Sequence, residues 1–125
     1  MAKTAKDMIA AARARIENLS AEQVAASLAG ALVVDLREAE ELGKEGAIPG
    51  AVHVPRGLLE FAADPTSPAH RAGFDPNGRV ILYCASGGRS ALAAATLKDL
   101  GYERVAHLDG GFKAWKDQGR PIERK

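Results

Sequence analysis

The chain has one cysteine, Cys84, in 125 residues, and that scarcity removes several chemistries at once. An internal disulfide needs two thiols and a cysteine-rich metal site needs more. There is no second thiol to resolve an oxidised Cys84 within the chain. Charge of one sign is also lacking: Lys and Arg total 17 against 16 Asp and Glu, a net of +1. That leaves no electrostatic footprint for a nucleic-acid partner or a membrane surface. Long apolar runs are absent as well, since none approaches the roughly 20 residues that span a bilayer. The N-terminal stretch is broken by Asp7, Arg13 and Arg15, unlike the apolar core of a signal peptide, so a cytoplasmic protein is expected. No internal repeat, low-complexity tract or GxGxxG occurs.

What is present fits one domain. With 125 residues and 46% hydrophobic content, the chain is long enough for a real core and too short for two. Residues 1–15 read as an amphipathic helical extension and 16–125 as the domain proper.

The most informative stretch is Val80-Ile81-Leu82-Tyr83-Cys84-Ala85-Ser86-Gly87-Gly88-Arg89-Ser90. Four β-prone residues run into the cysteine, a small-residue loop follows, and Ser90 to Leu97 reads as a helix. Cys84 thus falls at a strand-to-helix turn. There the first helical N–H groups lack intrahelical partners, and with the helix dipole they favour an anion in the loop. Gly87 and Gly88 let the loop curl and turn its own N–H groups inward as a small anion cradle. This is the setting of a nucleophilic thiolate. The competing reading is a buried thiol packed as a small hydrophobe.

In chain order, residues 2–16 form an Ala-rich helix with Met8, Ala12 and Ile16 on its packed face. Ile16 to Leu19 alternates like a short edge strand. Ser20 and Gln23 make a capping box for a helix that turns Val24, Ala25 and Leu28 inward and closes at Gly30. Ala31 to Asp35 is a continuous apolar run ending in a carboxylate, suited to a strand buried on both faces. Ligands collect at the carboxyl ends of such strands. Asp35 and Arg37 are therefore candidate pocket residues, with a loop-orienting salt bridge as the other reading. A short acidic helix over 38–44 leads to the turn 46–51, the strand 52–54 and its stop at Pro55. A short helix over 56–63 and a Pro/Gly-rich connection over 64–78 follow. If that connection overhangs the active loop, His70, Arg71 and Phe74 become candidate substrate contacts; otherwise they are ordinary loop residues. After the loop, Leu92, Ala93, Thr96, Leu97 and Leu100 form an apolar face capped by Gly101, and 104–108 is the last strand. His53 and His107 lie on predicted strands with no second ligand at metal spacing, and read as packed or hydrogen-bonded.

The loop Cys84-Ala85-Ser86-Gly87-Gly88-Arg89-Ser90 resembles the active-site loop of the rhodanese (sulfurtransferase) family, with six positions from cysteine to arginine. The related Cdc25-type phosphatases have a loop one residue longer, shaped for phosphate. Gly46-Ala47-Ile48-Pro49-Gly50-Ala51 is similar to the family's N-terminal signature, with Ala47 in place of its usual histidine. Leu108-Asp109-Gly110-Gly111-Phe112-Lys113-Ala114-Trp115 resembles the C-terminal signature, and its two aromatics read as core.

The alternating elements predict an α/β fold, a mainly parallel central sheet with helices on both faces, which is also the rhodanese-like architecture. The resemblance implies a single-domain sulfurtransferase. Cys84 would take sulfane sulfur from a donor such as thiosulfate as a persulfide and pass it to cyanide or a thiol, including a protein thiol. The N–H groups of Ala85, Ser86, Gly87, Gly88, Arg89 and Ser90 would cradle the anion, with Arg89 adding charge. Neither metal nor organic cofactor is implied. Many thiosulfate-using members carry a basic residue where this chain has Ala85. A non-catalytic or redox-sensing module remains open, as does a cysteine-dependent phosphatase or arsenate reductase, against which the loop length weighs.

Overall fold

A computed structural model describes residues 2–124; residues 1 and 125, the outer ends of the bounds expected above, lie outside the described residues. Helix α1 (Ala5–Arg15) opens on a Thr4 capping box. There follow β1 (Glu17–Leu19), α2 (Ala21–Ser27) with a 3-10 turn over Leu28–Gly30, β2 (Leu32–Asp35), α3 (Ala39–Glu45) and β3 (Val52–His53). A second 3-10 turn, Arg56–Leu58, leads into α4 (Leu59–Ala63), and the chain continues through β4 (Val80–Tyr83), α5 (Gly88–Asp99), β5 (Val105–Leu108) and α6 (Gly111–Asp117). The five strands pair in the order β1-β5-β4-β2-β3, and each pairing is parallel.

Period-two alternation decides which face each strand residue serves. On one face Val34, Leu82, Val80 and Val105 meet Ala91, Ala94 and Leu97 of α5, Leu59 and Ala62 of α4, and Ala12 of α1. On the other, Val33, Ile81, Tyr83, Ala106 and Leu108 meet Val24 of α2 and Phe112 and Trp115 of α6. Helices therefore cover both faces. The central strand β4 is buried at all four positions, which is why its sequence is apolar without a break.

Two expectations shift. In α1, Ile9 packs against the core and Met8 is exposed. With alanine at most neighbouring positions the helix has no sharp apolar stripe, so four-residue spacing fixed its phase poorly. Helix α5 begins at Gly88 and not Ser90, since Gly87, at φ +111°, supplies the turn one step earlier. Among the described residues, no helix is long and apolar enough to cross a membrane.

Candidate active site

Strand β4 delivers Cys84 to the carboxyl edge of the sheet, and the chain turns there into α5. The Cys84 sulfur accepts the backbone N–H of Gly87 at 3.2 Å and of Ser90 at 3.4 Å. Two backbone donors thus converge on one sulfur and form a small cradle around it. Cys84 is itself buried, at 1% relative exposure, so the thiol the sequence left as either nucleophile or hydrophobe is buried and yet surrounded by polar donors.

A second loop braces the first. The N–H of Phe112 donates to Cys84 O at 2.8 Å and that of Lys113 to Ala85 O at 3.1 Å, so the start of α6 holds the start of the active loop. The approach is close enough that a Cβ on Gly111 would fall 2.5 Å from Ala85 O. Glycine is required there by space, and by a φ of +63°.

Asp35 and Arg37 form a buried pair beneath the site. Arg37 Nη2 lies 2.8 Å from Asp35 Oδ2, and Nε and the backbone N–H of Arg37 both reach Asp35 Oδ1 at 3.0 Å. Tyr83 donates its hydroxyl to Asp35 at 2.7 Å and accepts the N–H of Ile48. Burial, with Asp35 adding, pushes that hydroxyl well above the ordinary phenol range. Arg37 also reaches Gly46 O at 2.7 Å, and Ala47 pairs its backbone both ways with Glu123. The 46–51 turn, which lacks the family's usual histidine, is held by these bonds.

Arg37 then faces a hollow of about 480 Å³ lined also by Glu41, Ala85, Phe112, Lys113 and Lys116. Its guanidinium sits 4.3 Å from the centre of the Phe112 ring. The hollow reaches the active loop through Ala85. Asp35 supports Arg37 from below and does not line the hollow.

Arg89 is not a free charge. It forms a two-point pair with Glu41 of α3, Nη1 to Oε1 at 2.8 Å and Nη2 to Oε2 at 2.9 Å. The Arg89 hydrogen bond holds the Glu41 carboxyl down at about 2, burial opposing. Glu41 in turn raises the guanidinium, with the Cys84 sulfur adding a smaller pull the same way.

The remaining candidates lie elsewhere. Phe74 is buried in the α4/α5 core, because its side chain turns inward from the 64–78 connection. Arg71 is exposed, donates to His53 O at 2.8 Å and borders a separate hollow with Val54, Leu58 and Phe61. Neither that hollow nor Phe74 includes a residue of the active loop. His70 bonds Phe74 O, and His53 bonds Arg37 O at 2.6 Å. His107 is fully buried, with Nδ1 2.8 Å from Ser90 Oγ and Nε2 2.8 Å from Asn18 Oδ1. Among the described residues, no group of three or more His, Cys, Asp and Glu side chains could hold a metal ion.

Against known proteins, the description "Rhodanese-like domain" matches residues 19–118. The chain belongs to the rhodanese-like domain family. It is 36% identical over 107 residues to a sulfurtransferase of Allochromatium vinosum, covering 86% of this chain and 92% of that protein. Among solved structures it superposes on a Rhodopseudomonas palustris protein of unknown function, described as a possible tyrosine phosphatase, with TM-score 0.93 and 40% identity over 98% of this chain and 96% of that one. A thiosulfate sulfurtransferase from Pseudomonas aeruginosa gives TM-score 0.76 and 30% identity over 96% of this chain and 22% of that one. The rhodanese-like match begins at Leu19, so helix α1 and Asn18 stand outside it.

Sequence reasoning located Cys84 at a strand-to-helix turn, yet missed three residues that brace this candidate site. Glu41 lay in a helix legible only as acidic. Gly111 was visible within the C-terminal signature but not as the brace of Ala85. Asn18 gave a signal only by alternation along its edge strand.

Proposed function

We propose that this rhodanese-like domain is a sulfurtransferase that carries sulfane sulfur as a persulfide on Cys84. The observation that supports this best is the Cys84 sulfur held between the N–H groups of Gly87 and Ser90 at the head of α5. In the first step the thiolate attacks the outer sulfur of a donor such as thiosulfate. A new S–S bond forms, the donor's S–S bond breaks, and sulfite leaves with the electron pair. In the second step an acceptor, a thiolate or cyanide, attacks the outer sulfur and Cys84 leaves as the thiolate. The cradle stabilises negative charge on sulfur at both ends of the cycle. No cofactor is needed for this balance.

The hollow beside Ala85 is lined by side chains of both signs, and two of its lysines are engaged: Lys113 pairs with Asp117 and Lys116 with Glu45. Such a mouth suits an acceptor larger and more mixed in charge than cyanide, a small thiol or a protein thiol.

A phosphatase reading has the Rhodopseudomonas palustris likeness in its favour. Against it stand the six-position loop and the engagement of Arg89, the group that would grip a phosphoryl, by Glu41.

Mass spectrometry after incubation with thiosulfate or a persulfide donor tests the proposal. One added sulfur, about 32 Da, removable by cyanide or a thiol and absent in Cys84→Ser, is the expected result. Turnover that persists in Cys84→Ser overturns it, and hydrolysis of a phosphoester without sulfur uptake favours the phosphatase.

A further inference from the structure

The cradle accounts for the thiolate once formed but not for where the thiol proton goes. Cys84 is 1% exposed, so solvent does not collect it directly. Ser90 Oγ lies 3.6 Å from Cys84 Sγ and 2.8 Å from His107 Nδ1, and the far side of the ring meets Asn18 Oδ1 at 2.8 Å. The four side chains form a continuous line, buried from Cys84 through Ser90 to His107 and ending at Asn18 on the surface.

The direction of that line follows from its outer end. Asn18 Nδ2 donates to Arg13 O at 3.0 Å and to Ile16 O at 3.2 Å. Only an amide nitrogen satisfies two carbonyls, so the amide oxygen faces the ring and Nε2 must carry hydrogen. The neutral ring then has Nδ1 as an acceptor. Ser90 gives its single hydroxyl hydrogen to Nδ1, at 2.8 Å, in preference to Gly87 O at 3.3 Å. Its oxygen is left to accept the thiol hydrogen of Cys84. Each donor in the line points from Cys84 toward His107.

We propose that His107 is the proton acceptor of Cys84, acting through the Ser90 hydroxyl. The Cys84 S–H bond breaks as its proton joins Ser90 Oγ, and the original Ser90 proton moves to His107 Nδ1. A neutral pair becomes a thiolate and an imidazolium, with serine restored and no net charge created. The rearranged hydroxyl now points its hydrogen at the sulfur, a third donor beside the N–H groups of Gly87 and Ser90.

Burial holds the His107 imidazole below its ordinary value, Asp109 opposing and Arg13 adding. Those two charges, one from α1 and one after β5, pair with each other at 2.7 Å. The ring's other polar neighbours, Asn18 on β1 and Ser90 on α5, are neutral. His107 is therefore a base waiting for a partner anion, and the thiolate is that anion. His107 does not touch the reacting sulfur and is a positioning residue. Helix α1, beyond the rhodanese-like match, fixes the line's outer end through Arg13 O.

This role presupposes the sulfur relay proposed above, but its test needs no sulfur donor. Alkylation of Cys84 by iodoacetamide, followed by mass spectrometry across a pH series, compares wild type with His107→Gln and Ser90→Ala. Both variants are expected to react at least about tenfold more slowly near neutral pH, the low end of what a positioned base contributes, with the profile displaced to higher pH. Coincident profiles in folded variants overturn the inference. Should the variants unfold, NMR titration of the His107 ring in wild type, before and after Cys84 is capped, decides instead. The midpoint is expected to move on capping, and an unmoved midpoint is the overturning result. Displaced profiles in the variants, together with a wild type that never accepts sulfur, overturn the sulfur relay alone.

Discussion

Glu41 grips Arg89 at both ends of its guanidinium, 2.8 and 2.9 Å away, across 48 residues of sequence. The arginine of the active loop is thus half of a pair, and the net field it adds at the cradle is smaller than its formal charge suggests. Arg89→Ala is expected to slow attack on anionic donors by about ten- to a hundredfold, because it strands the Glu41 carboxylate beside the loop. Glu41→Gln should act oppositely, lowering KM for anionic donors a few-fold. Steady-state kinetics on both variants checks the signs. If the two changes shift kinetics in the same direction, Arg89 serves structure and not charge.

The same pair sets an acid limit. The Glu41 carboxyl sits at about 2 in the folded protein against an ordinary value of 4.5. A depressed folded value means the unfolded chain takes up the proton first. The pair's contribution to stability is complete above pH 4.5 and is lost as pH falls toward 2. Thermal melts of wild type and Glu41→Gln should therefore differ near neutral pH and converge across that interval. A constant difference down to about pH 2 would place the pair's contribution elsewhere.

The sequence made the fold legible because the central strands are short, mostly apolar runs, Leu32–Asp35 and Val80–Tyr83 among them, and such runs have few alternatives to a parallel sheet. The active loop was legible for a local reason, since strand, cysteine, paired glycines and helix are contiguous. What escaped was set by tertiary distance. Nothing in the acidic run of α3 marks Glu41 over Glu40 as the partner of Arg89. Phe74 in a Pro/Gly-rich connection carries no periodicity to say that it turns inward. Asp35 and Arg37 read from sequence as either pocket residues or a salt bridge, and in the structure they are a pair of which only Arg37 reaches the hollow.

That buried pair is expected to be costly to break from one side. Asp35→Ala leaves the Arg37 guanidinium without its partner in a site 1% exposed, a loss of about 3–5 kcal/mol. Tyr83→Phe removes one hydrogen bond to Asp35 and the acceptor of Ile48 N–H, a smaller loss of about 1–3 kcal/mol. Urea unfolding of both variants gives the ordering. An Asp35→Ala loss no larger than that of Tyr83→Phe would mean that water reaches Arg37.

Two glycines separate backbone shape from packing. At Gly87 an added Cβ would meet nothing nearer than Gly110 N at 3.4 Å, so space is adequate and only the φ of +111° forbids a side chain. Gly87→Val is expected to cost about 1–3 kcal/mol of strain, relieved by moving the N–H that faces the Cys84 sulfur. Sulfur uptake should then fall far more than stability does. At Gly111 a Cβ would fall 2.5 Å from Ala85 O and 2.7 Å from Cys84 O, both backbone atoms that cannot swing aside. Even Gly111→Ala should therefore damage folding and sulfur uptake together. Denaturation midpoints set beside the fraction of Cys84 that accepts sulfur distinguish the cases. Full sulfur uptake in Gly87→Val would show that the N–H of Gly87 is dispensable, and a Gly111→Ala protein as stable as wild type would show that α6 can withdraw without loosening the loop.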